Sequence, residues 1–292
     1  MPLDVLVPYW GDPALAQLMV RSVLAQHNPD WLLTVVDDAY PDPTLREWLA
    51  GLDDPRVRYV RNDRNLGITG AFRACVDLAT QDRVVIPGCD DVLLPNYVDV
   101  VLGAHRADPS VEMIQPGVQV LDAGGRVVRP LADTVKNLMR PSGAALLSGE
   151  DLAVGLLRGD WLYWPSLAFR REALVATPFQ PGRRVIQDLA LVIDLVAGGA
   201  RLLVEPTVCF GYRRHESASA PGPARFAGER EYFRHAADQM GALHWRRARR
   251  AALGHWSSRL HAVSILPSAV ASRRADVGAL LAHAVMPGGW QG

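Results

Sequence analysis

Apolar runs alternate with helix-like segments through the first hundred residues, and this alternation restricts the fold more than any other feature of the chain. Four apolar runs have the length and composition of buried strands; they cover residues 4–10, 31–38, 56–62 and 83–91. The segments between them carry apolar residues at helical spacing, and Asp12-Pro13 is a typical helix start. Strands joined by helices form βαβ units with parallel strands and right-handed crossovers. The sequence therefore predicts an α/β fold with a mostly parallel twisted sheet flanked by helices.

The rest of the chain divides into the second half of this domain and a helical extension. Residues 111–130 read as a hairpin that turns at Ala123-Gly124-Gly125, and residues 187–199 as an apolar helix that ends at its glycines. Residues 201–214 are predicted to form a pair of strands. We predict one domain over residues 1–220, with halves 1–110 and 111–220, and a helical C-terminal subdomain over residues 221–292.

Composition indicates an ordinary globular protein of the reducing cytosol. The formal net charge is +0 and the pI is about 7.1, so no overall field attracts nucleic acid. The three cysteines are widely spaced and form no zinc motif or disulfide framework. The N-terminus lacks the basic region and long apolar core of a signal peptide, and no apolar run approaches the roughly 20 residues of a spanning helix. We expect a cytoplasmic protein, in solution or peripheral at the inner face of the membrane.

Each of the first four predicted strands ends at or just before residues with polar side chains. The strand ends are Pro8-Tyr9, in which Tyr9 carries the polar group, Asp37-Asp38, Asn62 with Arg64-Asn65, and Asp90-Asp91. Isolated acids at strand ends are often turn or helix-cap residues, but the carboxyl ends of parallel strands share one crevice in which ligands bind. The sequence has no glycine-rich dinucleotide motif and no P-loop. A carboxylate pair without a glycine cradle suits a divalent cation that carries diphosphate.

The order of these motifs resembles family 2 glycosyltransferases of the GT-A fold. The stretches "VLVPYW", "RSVLAQ", "VVDDAYPD", "NDRNLGITGAF" and "GCDDVLLPNY" are similar to the family motifs IPxYN, SxxxQ, VVDDGSxD, NxGxxxARN and DADDxxxP. The segment "QDLALVIDLVAGG", followed by "YRRHESASA", is similar to the acidic helix motif and the YRxHxxSxS motif of the second half. The likeness covers about residues 3–220. It implies a Rossmann-like GT-A domain whose residues 1–110 bind the nucleotide sugar and whose residues 111–220 bind the acceptor.

The resemblance implies a role for each matching residue of the nucleotide site. Pro8 and Tyr9 would line the base pocket, and Asp37 or Asp38 would contact the base or the ribose. Asn65 and Gly67 would shape the nucleotide side, with Arg64 as a further contact.

The resemblance also implies a divalent cation, Mg²⁺ or Mn²⁺. Asp90 takes the position of the last acid of the DXD motif, which supports the metal and the diphosphate, with Asp91 beside it. His215 lies where some relatives bring a histidine towards the metal or the diphosphate. Gly88 replaces the first acid of the motif, so the chain has one carboxylate fewer than its relatives.

Asp188 matches the aspartate that supplies the catalytic base in the family. Its position at the start of an apolar helix also suits a first-turn acid, which stabilises a helix by about 1 kcal/mol. In the functional interpretation, the carboxylate accepts the proton of the acceptor hydroxyl while that oxygen attacks the anomeric carbon. A single displacement inverts the configuration. Gln187 stands where the family usually has glutamate.

Aromatic and basic segments outside these motifs suggest partners. Trp161 and Trp164, in "DWLYWPS", are candidates to stack on the acceptor, although both residues are also common in cores. Residues 225–292 hold ten arginines and four acids, centred on "HWRRARR". This segment is either a solvated basic face, a contact with a membrane surface or anionic acceptor, or a homodimer contact.

We therefore predict an inverting glycosyltransferase with a UDP- or dTDP-type sugar donor and a glycan, lipid-linked or small-molecule acceptor. Nucleic acid is not an expected partner. One alternative is a nucleotidyltransferase of sugar nucleotides, which would need a glycine- and arginine-rich loop after the first strand that "PYWGDPAL" does not offer. The other is a non-catalytic relative that binds sugar nucleotides, suggested by Gly88.

Overall fold

The computed structural model describes residues 1–179, 186–214, 223–272, 274 and 276–285. Contacts group them into two compact units. The first comprises residues 1–146, 162–179 and 200–214, and the second comprises 147–161, 186–199 and the described residues from 223 to 285. The predicted domain boundary at residue 220 stays a prediction. No described helix is long and apolar enough to cross a bilayer.

The strands, in chain order, are β1 (Leu3–Tyr9), β2 (Trp31–Asp37), β3 (Val57–Arg61), β4 (Arg83–Val85), β5 (Val92–Leu93), β6 (Met113–Leu121), β7 (Val127–Val128), β8 (Ala145–Leu147), β9 (Ala168–Arg170) and β10 (Leu202–Arg213). The helices are α1 (Pro13–Leu24), α2 (Thr44–Ala50), α3 (Gly67–Leu78), α4 (Tyr97–Ala107), α5 (Leu131–Met139), α6 (Gly149–Gly159), α7 (Arg171–Ala176), α8 (Gln187–Ala197), α9 (Pro223–Ala242), α10 (Arg246–Gly254), α11 (Trp256–Ala271) and α12 (Val277–Val285). A short 3-10 turn covers Trp164–Ser166.

The strands form one mixed sheet in the order β3-β2-β1-β4-β9-β6-β10-β5. The pairs β3–β2, β2–β1, β1–β4 and β6–β10 are parallel, as expected for βαβ units. Strand β9 is antiparallel to both β4 and β6, and it joins the two parallel groups. The prediction of an α/β fold with a mostly parallel, helix-flanked sheet is confirmed.

The prediction of two strands over residues 201–214 is wrong, because this segment forms the single strand β10. Its register against β6 shifts between Val204 and Phe210, which marks a bulge. Proline cannot donate to a strand ladder, and Pro206 lies in the bulge rather than in a turn. A Cβ at Gly117 would lie 2.5 Å from the Pro206 carbonyl oxygen, so only glycine lets β6 approach the bulge this closely.

The core of the first unit lies against the sheet. Its fully buried side chains include Val5 and Val7 of β1, Met19 of α1 and Val101 of α4. In the second unit a smaller apolar cluster joins α9, α11 and α12; its buried members are Phe226, Ala262, Ala269 and Leu280. The helical character predicted for the C-terminal segment agrees with the described part of it.

Candidate active site

The carboxyl ends of three neighbouring strands are in register at one edge of the sheet. Tyr9 of β1 lies opposite Asp37 of β2, and Asp37 lies opposite Arg61 of β3. Strand β4 ends earlier, with Val85 opposite Val5. The chain after β4 continues to the same edge, because Gly11, just past β1, would carry a Cβ 3.4 Å from the sulfur of Cys89. The sheet therefore collects the strand ends that the sequence singled out.

The carboxylate of Asp37 is buried and holds three donors. It accepts hydrogen bonds from the main-chain N–H of Tyr40 at 2.7 Å, from Nη1 of Arg61 at 2.6 Å and from the hydroxyl of Tyr59. Burial, followed by the bond to Asp37, raises the pKa of the Tyr59 hydroxyl. Asp37 therefore holds the side chains at the end of β3 in place. Arg61, which is half-exposed and pairs with Asp37, was not indicated by any sequence motif.

Asp38 fastens the loop between β3 and α3. Its Oδ1 accepts from Nδ2 of Asn62 and from the main-chain N–H of Leu66, both at 2.8 Å, and its Oδ2 accepts from the N–H of Gly67 at 2.9 Å. Gly67 has a φ of +69°, in the left-handed region that favours glycine, and its N–H also donates to Oδ1 of Asn65 at 2.8 Å. The second acid of the "VVDD" motif thus shapes the nucleotide side of the predicted crevice through the loop.

Three aromatic rings meet where β1 and β2 end. Tyr40 lies edge-on to Tyr9 and to Trp10, each with ring centroids 5.2 Å apart. Trp10 is 50% exposed and stands where the family motif IPxYN has asparagine. Ala39 has a φ of +62°, so the chain keeps there the left-handed turn for which the family uses glycine.

The Tyr9 hydroxyl is buried without a hydrogen-bond partner in the described part of the chain. Burial is the main cause that raises its pKa, with smaller contributions from Tyr40 and Asp37, so the hydroxyl remains protonated at neutral pH. Pro8, which precedes it, is partly buried opposite Val36. Arg64, the remaining nucleotide-side candidate, is exposed.

The "GCDD" turn after β4 brings its two carboxylates together above Gly88. A Cβ at Gly88 would lie 2.7 Å from Oδ1 of Asp90 and 2.8 Å from Oδ2 of Asp91. Asp91 is buried: its Oδ2 accepts from the N–H of Gly88 and its Oδ1 from the N–H of Arg213, each at 2.9 Å. Asp90 is half-exposed. Where the family motif has its first acid, Gly88 has no side chain, and the carboxylates of Asp90 and Asp91 occupy the room that a side chain would need.

The environment of this turn changes its titratable groups. Burial, and then the charge of Asp90, raises the pKa of the Asp91 carboxyl well above its ordinary value. The same two causes, in the same order, raise the pKa of the Cys89 thiol to about 11. A thiol with this pKa stays protonated at neutral pH, so it is a poor nucleophile. Asp90 is the carboxylate of the turn that solvent and a ligand can reach.

Arg213 of β10 clamps the turn from the other side. Its buried guanidinium donates through Nε to the carbonyl oxygen of Asp90 at 2.7 Å. Its Nη1 donates to the carbonyl oxygens of Asp122 at 3.2 Å and Ala123 at 3.1 Å, in the turn between β6 and β7. The "YRRH" motif drew attention to its histidine, but its first arginine is the residue that supports the carboxylate turn.

Among the remaining predicted metal ligands, His215 lies outside the described residues. Within the described ranges no group of three or more His, Cys, Asp or Glu side chains is placed to hold a metal ion. The metal roles of Asp90, Asp91 and His215 therefore stay predictions. Asp90 is the one of the three whose carboxylate is both described and accessible.

Asp188 is a first-turn acid of α8, in the second unit. It is half-buried, and its Oδ1 accepts from the N–H of Leu189 at 2.9 Å. Ile186, which precedes the helix, has a φ of +56°, an unusual conformation for a β-branched residue. Strained backbone of this kind clusters at functional sites. The helix behind Asp188 is almost wholly buried, which holds the acid on a rigid support.

Both predicted acceptor-stacking tryptophans are buried in this structure. Trp161 is 2% exposed, in the second unit, and Trp164 is 8% exposed, in the first. Trp164 packs against Phe72, Phe169 and Phe179 with ring centroids 4.9–5.9 Å apart. Its indole Nε1 has no hydrogen-bond partner among the described residues. Acceptor binding by either ring stays a prediction, and their burial leaves little ring face for it here.

Comparison with known proteins identifies the class. Residues 4–134 match the model of the glycosyl transferase family 2. The putative colanic acid biosynthesis glycosyl transferase WcaA of Escherichia coli is 30% identical over 105 residues, which cover 36% of this chain and 37% of that protein. The succinoglycan biosynthesis protein ExoO of Rhizobium meliloti is 27% identical over 68% of this chain and 57% of its own length. Residues 4–134 match the family 2 glycosyltransferase domain, which confirms the resemblance, and the matched regions span 37% of WcaA and 57% of ExoO.

Solved structures confirm the fold. Staphylococcus aureus TarS, residues 1–349, superposes with a TM-score of 0.67 at 13% identity over 98% of this chain and 81% of that one. Its complex with UDP-GlcNAc gives a TM-score of 0.64 over 97% and 90% of the two chains. The mannosyltransferase PcManGT of Pyrobaculum calidifontis, solved with GDP-Man and Mn²⁺, gives 0.57 at 19% identity over 96% and 78%. The architecture is that of GT-A glycosyltransferases.

Proposed function

We propose that the chain is an inverting glycosyltransferase that moves a sugar from a nucleotide-diphosphate sugar, of UDP or dTDP type, to a hydroxyl acceptor. The observation that carries this proposal is the turn at Gly88–Asp91, where an accessible carboxylate and a buried one converge at the carboxyl edge of the sheet. The family match and the UDP-GlcNAc and GDP-Man complexes of the structural neighbours support it. The acceptor is a glycan, a lipid-linked glycan or a small molecule.

The nucleotide would lie across the ends of β1 and β2. Trp10 and Tyr40 offer ring faces to a base, and the ring of Tyr9, whose buried hydroxyl has no partner in the described residues, packs against Tyr40. Asp37 and Asp38 already accept hydrogen bonds with both oxygens. Oδ1 of Asp37 and Oδ2 of Asp38 each accept a single bond, so one lone pair on each of these two oxygens is left for a base or ribose.

The donor set of the turn fits a hard divalent cation. Mg²⁺ and ions like it are commonly bound by one or two carboxylates together with phosphate oxygens, and Asp90 presents one such carboxylate. Asp91, whose two oxygens each hold a main-chain N–H, positions Asp90 through the turn. When bound, Mg²⁺ or Mn²⁺ would neutralise negative charge on the leaving diphosphate.

Asp188 would act as the base. It lies in the first turn of α8, and its carboxylate, which accepts one main-chain N–H at Oδ1, keeps lone pairs that can accept a proton. The acceptor hydroxyl gives its proton to Asp188, its oxygen forms a bond to the anomeric carbon, and the bond from that carbon to the diphosphate breaks. One displacement on the face opposite the leaving group inverts the anomeric configuration.

Donor hydrolysis and transfer, measured with and without Mn²⁺ or Mg²⁺, test the proposal. Asp188→Asn should abolish turnover and leave nucleotide binding intact, and Asp90→Ala should weaken binding of the nucleotide diphosphate and remove its metal dependence. Glu47→Gln is a matched control, because it removes an exposed first-turn acid from α2. Equal turnover by wild type and Asp188→Asn would refute the assignment of the base.

Gly88 favours one other candidate, a non-catalytic protein that binds sugar nucleotides. With glycine at this position the turn has one acid fewer than the family motif, and the turn is already compact without that acid. This candidate predicts metal-dependent donor binding with no hydrolysis or transfer for any donor. Release of the nucleoside diphosphate, which a glycosyltransferase produces, would exclude it. Release of pyrophosphate would instead identify a nucleotidyltransferase.

A further inference from the structure

The second unit contains a cleft that the proposed reaction does not use. It has a volume of about 490 Å³, within the usual range for small-ligand pockets, and it lies where α9 turns into α10. Its lining, which we call the basic cleft, consists of Asp238, Gly241, His244, Trp245, Arg246 and Arg249. All six residues belong to the second unit, so the cleft is complete within it.

The turn that shapes the basic cleft places an imidazole where helices usually end in glycine. The N–H of Trp245 donates to the Met240 carbonyl at 2.9 Å, and the N–H of His244 donates to that of Gly241 at 3.0 Å. This is the Schellman pattern of a helix end, and His244 occupies its left-handed position with a φ of +59°. A non-glycine residue in this conformation is disfavoured, and such residues are common at binding sites. The turn aims the exposed His244 and the half-buried Trp245 at the cleft.

Two arginines of the basic cleft have no counter-ion among the described residues. Arg246 and Arg249 are three residues apart on α10, so they share a face of the helix, and both are exposed. Neither side chain has a hydrogen bond or ion pair with any described residue. Arg247, on another face, pairs with Asp151 at 2.8 Å and with Glu150 at 3.4 Å. Glu150 and Asp151 therefore neutralise the arginine outside the cleft, whereas no described carboxylate is paired with the two arginines inside it.

The stem of Arg249 lies over the end of α9. A Cβ at Gly241 would be 3.4 Å from both Cδ and Nε of Arg249, an ordinary van der Waals contact. The exposed guanidinium and the half-exposed indole of Trp245 therefore line the same cleft.

We infer that the basic cleft binds a saccharide unit that carries one acidic group, a carboxylate or a phosphate. The guanidinium groups of Arg246 and Arg249 match both groups in charge and in hydrogen-bond geometry. The ring of Trp245 offers an apolar face to the sugar, and Asp238 and His244 offer hydrogen-bond partners to its hydroxyls. The negative charge of Asp238 would repel a densely charged polyanion, so the cleft suits a sugar that carries one acidic group and several hydroxyls. The identification of the ring as a sugar rests on the proposed glycosyl transfer, whereas the acidic group follows from the arginines.

Direct binding to the full chain, without donor or metal, tests this inference. Glucuronate and glucose 6-phosphate serve as acidic probes, with glucose and inorganic phosphate as the matched partial ligands, in a saturation-transfer NMR titration. Both acidic sugars, or the one whose acid the cleft prefers, should bind at least about tenfold more tightly than glucose and than phosphate alone. The variant Arg246→Gln/Arg249→Gln should lose this preference. Arg250→Gln, which removes an exposed arginine of the same helix outside the cleft, should keep it.

Three results would overturn the inference. The first is that neither acidic sugar binds. The second is that the wild type and the double variant bind the acidic sugars with equal affinity. The third is that phosphate binds as tightly as glucose 6-phosphate and that Trp245→Leu leaves the binding of both unchanged. Thermal unfolding of each variant shows whether it is folded, and the single changes at 246 and 249 serve if the double change is not. Failure here would leave donor turnover and its loss in Asp188→Asn untouched. Absence of turnover with intact binding of an acidic sugar would refute only the proposed transfer.

Discussion

The main-chain N–H of Arg213 donates to Oδ1 of Asp91 over 2.9 Å and joins two segments that are 122 residues apart in the chain. Asp91 is thereby held between its own turn, through the N–H of Gly88, and strand β10. The guanidinium of Arg213 adds bonds to the carbonyl of Asp90 and to the turn between β6 and β7. The accessible Asp90 carboxylate thus depends on residues from both halves of the predicted domain.

Arg213→Lys should destabilise the fold and weaken donor binding. A lysine presents one ammonium and cannot donate to the separate carbonyls that Nε and Nη1 reach, so buried acceptors lose their partners. We expect the free energy of unfolding to fall by about 2–3 kcal/mol in denaturant titrations. Arg129→Lys, at an exposed position beside β7, is the control. Unfolding of Arg213→Lys at the same denaturant concentration as the control would show that the clamp is unimportant.

Gly88→Ala should weaken the metal-dependent affinity for the nucleotide. Its Cβ would lie 2.7 Å from Oδ1 of Asp90 and 2.8 Å from Oδ2 of the buried Asp91, so both carboxylates must turn away. Displacing a side chain from its rotamer costs about 0.5–1.5 kcal/mol, which corresponds to roughly two- to tenfold weaker binding of nucleoside diphosphate with Mn²⁺. Calorimetric titration measures this change. Gly143→Ala, with open space around the new Cβ, should bind as the wild type does; an equal effect in both variants would contradict the steric argument.

Asp37 and Tyr59 should contribute unequally to stability. Asp37→Asn places an amide NH₂ among three donors and removes the charge opposite Arg61, so we expect a loss of about 2–3 kcal/mol in free energy of unfolding. Tyr59→Phe removes one donor and leaves the other two bonds in place, for a loss of about 1 kcal/mol. Urea unfolding of both variants checks the order. The reverse order would mean that the Tyr59 hydroxyl, rather than the carboxylate, organises the end of β3.

The second unit should lose stability as the pH falls below about 6.5. Nη1 of Arg230 can only donate, so Nδ1 of His283 accepts at 2.8 Å and is unprotonated. Nε2 of His283 then carries the proton and donates to Oγ of Ser258 at 2.7 Å, and Ser258 donates to Glu229. Burial, with the neighbouring His255 and Arg230, lowers the pKa of His283 to about 4. Between pH 6.5 and 4 the unfolded chain therefore binds a proton that the folded chain does not, and folding is disfavoured as the pH falls.

His283→Gln tests this origin, because glutamine can accept from Arg230 and donate to Ser258 without titrating. The fall in melting temperature between pH 7 and pH 5 should become smaller, though not vanish, since burial also lowers the pKa of His255. His235→Gln, at an exposed position of α9, should retain the full dependence. An unchanged pH dependence in His283→Gln would assign the effect to other groups.

Local sequence patterns were sufficient for the sheet and for the position of the predicted crevice. The four strand runs and their connecting helices specify parallel pairs, and register then aligns Tyr9, Asp37 and Arg61 without further information. The strand pair predicted over residues 201–214 failed, because Pro206, which cannot donate to a strand ladder, is accommodated by a bulge within one strand. The bulge of β10 lies against Gly117 of β6, which is far away in the sequence and whose missing side chain leaves room for it.

The sequence by itself determined the fold class, the family and the list of chemical groups, because hydrophobic periodicity and motif order are properties of neighbouring residues. Only the tertiary structure decided what each group does. It placed Asp91 under Arg213, committed both oxygens of Asp38 to a loop, buried Trp161 and Trp164, and left Arg246 and Arg249 without a counter-ion in the described chain. Burial and hydrogen-bond partners depend on contacts between segments far apart in the chain, and no local pattern contains them.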